Sequence, residues 1–198
     1  MATVSLHHPA TLGHTHHLVD PRLTFAAVVP FAAGFAIAWR LSGATYLAAM
    51  TATLLIVIAW AALLSRSSHR GLFVAFMPAV LLATVLLGRG AFTPVAVVDA
   101  LVLALLIANV LLVNESPDDR TTTLVSTLFT IAFALPIVWG LYAGPFRLTA
   151  VFFGVPLAIF TTEMLGRKHD HAPHIAETAA LLTFVVTGLA LALAELIG

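Results

Sequence analysis

Seven long apolar tracts run through this chain, separated by short polar breaks, and Asp99 is the single charged residue inside any of them. They occupy residues 23–39, 44–64, 71–88, 91–113, 121–143, 148–162 and 178–194. A helix crossing the hydrocarbon core of a bilayer needs about 20 apolar residues, with a range of about 17–25. Six tracts meet that length. The tract at 148–162 is shorter and holds Gly154 and Pro156, and a helix of that length rises only about 22 Å. Seven spans are expected, with six if this tract does not cross. No tract alternates with period two, which excludes a transmembrane β-barrel. Only 9% of the residues are charged, against about 25% in an average soluble domain. So few charges cannot cover a soluble globule. The fold class is all-α, a polytopic transmembrane helical bundle, and membrane lipids are its first partners.

Composition removes several kinds of chemistry. With no cysteine in the chain, disulfides, thiolate metal sites and cysteine nucleophiles are out. Nine Lys+Arg balance nine Asp+Glu, so there is no basic field to attract nucleic acid. There is no phosphate-binding Gly-rich loop with a lysine, no nucleophile elbow and no His-Glu-x-x-His.

Residues 1–22 form a polar, His-rich arm, with His7, His8, His14, His16 and His17 and no apolar core of the kind a secretion signal carries. Residues 23–198 read as one transmembrane domain. With seven spans, Arg22, Arg66, Arg70, Arg120, Arg167 and Lys168 fall on one side, and Arg40, Arg89 and Arg147 on the other. Basic residues accumulate in cytoplasmic loops. The arm and N-terminus are therefore expected inside and the C-terminus outside. The polar loops, including Arg66 to Arg70 and the His-rich loop before the last tract, share the cytoplasmic face.

Two clusters on that face carry possible chemistry. Residues 114–120 place Glu115, Asp118 and Asp119 beside Asn114 and Arg120. Mg²⁺ takes oxygen ligands and commonly bridges one or two carboxylates to a substrate phosphate. The same residues also suit a solvated turn, with Asp119 or Thr121 capping the next helix. The second cluster is His169, His171 and His174. Imidazoles suit Zn²⁺ and Ni²⁺, and the plainer reading is a polar loop with weak metal affinity. Inside the tracts, Asp99 is expected near the outer boundary, with its head snorkelling, and Asn109 is expected to hydrogen-bond a neighbouring helix. Glu163, Glu177 and Glu195 read as helix-end charges.

The run from Gly71 to Pro78, the stretch 84–90, and the helix ending in Asn109-Val110-Leu111-Leu112-Val113-Asn114-Glu115-Ser116-Pro117-Asp118 resemble the middle of UbiA-type intramembrane prenyltransferases. The resemblance to the second Asp-rich motif of that family lies in Asn114, Pro117 and Asp118, followed by Asp119, Arg120 and Thr123-Leu124. The two aspartates are adjacent, the Gly-Lys that usually follows is missing, and no counterpart of the first Asp-rich motif precedes residue 99. The chain is similar to a shortened, degenerate version of the family. The resemblance implies Mg²⁺ at Glu115, Asp118 and Asp119. It also implies an isoprenoid diphosphate held by Arg66, Arg70, Asn114 and Arg120.

Three functions stay open at this stage. One is a non-catalytic membrane subunit or isoprenoid-binding scaffold, packing small-residue helix faces such as those at Gly34 and Gly154 against other subunits or lipid. Another is active Mg²⁺-dependent transfer of an isoprenoid group to an aromatic or lipid acceptor. The third is a His-rich metal-binding or transport protein.

Overall fold

The computed structural model describes residues 25–42, 47–65, 70–89, 93–113, 119–144, 148–167 and 172–197. Among these residues helix is the only regular secondary structure. The helices are α1 (Val28–Ser42), α2 (Leu47–Ser65), α3 (Arg70–Arg89), α4 (Pro94–Val113), α5 (Asp119–Ala143), α6 (Leu148–Leu165) and α7 (Ala172–Ile197). The polar arm at 1–22 lies outside the described residues.

Local chemistry sets the helix ends. Thr93 caps α4, its Oγ1 accepting from the Ala96 N–H at 3.2 Å. Pro94 takes the first helical position, where the N–H it lacks would have no partner in the helix. Gly144 closes α5 with φ of +127°, a conformation that favours glycine, and its N–H donates to the Gly140 carbonyl at 3.2 Å. Pro78, Pro136 and Pro156 sit inside α3, α5 and α6. Packed neighbours tolerate such breaks in membrane helices.

Six helices form a closed ring in the order α1, α3, α4, α5, α6, α7, and α4 packs on α7 across it. Two four-helix cells therefore share an α4–α7 wall. Helix α2 lies outside the ring against α1 and α3. Large apolar side chains cover the outside, including Leu141, Phe152 and Phe153. So much exposed apolar surface suits lipid and not water.

The seven apolar tracts correspond to seven helices among the described residues. Among the described residues, four helices are long and apolar enough to cross a membrane: Pro94–Val113, Asp119–Tyr142, Leu148–Leu165 and His174–Ile197. The tract that was shortest in the sequence belongs to one of these four helices. Helix α6 continues past Thr162 through Glu163 to Leu165, which brings it to about 27 Å.

Candidate functional site

Most of the residues singled out in the sequence lie at breaks between helices. Arg66, Asn114, Glu115, Asp118, His169 and His171 fall outside the described residues, as does the side chain of Arg70. Asp119 and Arg120 open α5, and both are exposed. A carboxylate there complements the positive end of the helix dipole. His174 is exposed in the first turn of α7, with Nδ1 4.0 Å from Oε2 of Glu177. Among the described residues no three His, Asp or Glu side chains gather around a common point.

The polar groups inside the bundle differ from expectation. Asp99 does not snorkel, because only 1% of it is exposed. Glu195, in the last turn of α7, is buried as well, with 5% exposed. Their placement follows from the register of α4 on α7. A Cβ on Gly188 would overlap Val29 of α1 and stand 3.1 Å from Leu103 Cδ2 of α4, so three helices meet at this glycine. The connections after α4, α5 and α6 are short, and each reverses the chain, so α4 and α7 run antiparallel. Asp99 lies one turn from Leu103 and Glu195 two turns from Gly188, toward the same end of the bundle. Both carboxylates therefore sit on the stripes through which α4 and α7 pack. A signal for Glu195 existed in the sequence, namely its seven-residue spacing from Gly188.

Asn109 is fully buried, yet neither Oδ1 nor Nδ2 has a hydrogen-bond partner. The hydrogen bond to a neighbouring helix expected for it is not made. The buried threonines Thr84, Thr161 and Thr183 satisfy themselves locally, each donating to the carbonyl four residues earlier at 2.7–2.8 Å.

Among the described residues a cavity lies between α5 and α6. It is a groove of about 580 Å³, within the range of about 300–1,000 Å³ usual for small-molecule sites. Phe129, Phe133, Ala134 and Ile137 form its α5 wall, and Val155, Ala158 and Ile159 its α6 wall. Polar groups gather at one end: Ser126 and Thr130 early in α5, Thr162 and Glu163 late in α6. From Ser126 to Ile137 the groove follows α5 for about 16 Å. An apolar slot closed by one carboxylate and three hydroxyls has the shape of an amphipathic ligand. Of the residues singled out in the sequence, Glu163, read there as a helix-end charge, lines it.

No protein-family model, no curated protein and no solved structure matches this chain.

Proposed function

We propose that this chain is a multi-pass membrane protein that binds an isoprenoid lipid without turning it over, as a UbiA-like scaffold or membrane subunit. The observation that carries the reading is the α5–α6 groove, apolar along its length and polar at one end. That end is where α5 begins and α6 stops, so it adjoins residues 114–120 and the His-rich loop in the chain. Taken with seven spans, the distribution of Lys and Arg supports a cytoplasmic position for this end. Lipid would enter sideways from the bilayer, between Thr130 and Ala134 of α5 and Ile159 of α6, all of them exposed.

The full-length chain in lipid nanodiscs should bind a geranylgeranyl probe saturably and leave geranylgeranyl diphosphate unhydrolysed in Mg²⁺. Turnover that needs Mg²⁺ and is lost in the double substitution Asp118→Asn/Asp119→Asn would replace this reading with an active prenyltransferase, using Glu115, Asp118 and Asp119 for the metal. Failure to bind any isoprenoid chain would remove both. The cluster of His169, His171 and His174 is expected to bind Zn²⁺ only weakly, worse than about micromolar, because a tight zinc site needs fixed tetrahedral geometry and supporting hydrogen bonds.

A further inference from the structure

The donor and acceptor inventory at the polar end of the groove narrows the ligand. Thr130 gives its hydroxyl hydrogen to the Ser126 carbonyl at 2.8 Å, and Thr162 gives its hydrogen to the Ala158 carbonyl at 2.9 Å. Each is left with lone pairs only. Glu163 is exposed and, as a carboxylate, offers acceptors alone. Ser126 alone among the four brings a hydroxyl that can still donate. The groove mouth is thus three acceptors, one of them an acid, and one donor.

We propose that the α5–α6 groove takes a lipid alcohol, a hydrocarbon chain ending directly in an uncharged hydroxyl that donates to Glu163 and accepts from Ser126. This rests on the lipid-binding reading above and names its ligand class. A phosphate head brings only negative acceptors, and among the described residues no basic side chain lines the groove to neutralise them. The described arginines at that end, Arg120 and Arg167, are exposed and lie outside the lining. An ammonium head would satisfy Glu163 but leave the Ser126 donor without an acceptor. A hydroxyl satisfies both, and its chain continues along Phe129, Phe133 and Ile137.

The test is equilibrium binding of tritiated geranylgeraniol to the full-length chain in zwitterionic nanodiscs without divalent metal, compared with geranylgeranyl monophosphate. Saturable binding of one alcohol per chain is expected, with the phosphate at least about tenfold weaker. Loss of the charge-assisted bond in Glu163→Gln should weaken the alcohol by about tenfold and narrow its advantage over the phosphate. Ala134→Phe, at an exposed position in the groove wall, should abolish saturable binding while the melting temperature holds. Phosphate binding as tightly as the alcohol would overturn the head-group assignment and leave lipid binding standing. Saturable binding of neither probe would sink the lipid-binding reading itself. Alcohol binding untouched by Ala134→Phe would place the site elsewhere and the groove among bulk acyl chains. A dimer that Ala134→Phe dissociates would give the groove to a second copy of the chain.

Discussion

Helix α6 meets its two neighbours in opposite ways. Toward α7 it presents Gly154, against Thr187, on a stripe with Ala150, Thr161 and Leu165, all buried, and this is the most extensive helix contact among the described residues. The facing stripe of α7 is equally small, with Ala176, Ala180, Thr183 and Thr187 at alternating four- and three-residue spacing. Toward α5 the same helix meets Phe129 and Phe133, and between them the helices part to leave the groove. In a bilayer no hydrophobic drive pulls helices together, so closeness depends on how near the backbones can come. Small residues seal one side of α6 and bulky rings prop open the other. The packing needs no catalytic residue, but it decides where a ligand can lie.

The largest effect should come from spoiling the sealed side. A Cβ on Gly154 would overlap Thr187 Oγ1 and stand 2.5 Å from Phe133 Cε1. Gly154→Leu should therefore cost at least about 3 kcal/mol, at or beyond the usual range for overpacking, and yield little folded protein by size-exclusion chromatography. Normal yield and an unchanged melting temperature would show that α6 and α7 are not closely seated. Phe133→Ala comes next. It removes a ring that is 6% exposed and should cost about 3 kcal/mol, read as a lower midpoint of thermal unfolding. Whether α5 then collapses onto α6 is visible as loss of geranylgeraniol binding, and continued binding would show that Phe129 alone keeps the groove open.

A smaller effect of opposite sign is expected at Asn109. Its amide is buried without a partner, and an orphaned polar group of that kind costs about 1–3 kcal/mol. Asn109→Leu should thus raise stability by about 1 kcal/mol. A loss would mean that the amide has a ligand or partner that the bundle alone does not supply. The smallest effect belongs to Gly166, just beyond α6, where an added Cβ would come no nearer than 3.6 Å to the Glu163 carbonyl. Gly166→Ala should stay within about 0.5 kcal/mol of the parent, which makes it the control for Gly154→Leu.

Much of the helical framework was legible in the sequence. The tracts became helices, and the low charge content pointed to a bundle clothed in apolar side chains. The breaks at Pro94 and Gly144 mark helix ends through local rules, a first-turn proline and a left-handed glycine. Gly34 and Gly154 were expected as close-packing points, and they are, though their partners lie within the chain. A Cβ on Gly34 would stand 2.7 Å from the Leu81 carbonyl oxygen and 2.9 Å from Thr84 Cβ in α3. The groove left no mark, because its α5 and α6 walls look like any other apolar helix.

By itself the sequence determined that the chain is helical and where its helices run, because both follow from composition and from short-range backbone chemistry. It did not determine which face of each helix turns inward. In a soluble protein that face is read from the alternation of apolar and polar residues. In α4 and α6 apolar residues occupy every face, since lipid and protein interior demand the same side chains. Only the tertiary structure could show that Asp99 and Glu195 turn inward on the α4–α7 wall, and that Asn109 is buried without a partner. Only it could show that Glu163, which reads as a helix-end charge, stands at the mouth of a groove between α5 and α6.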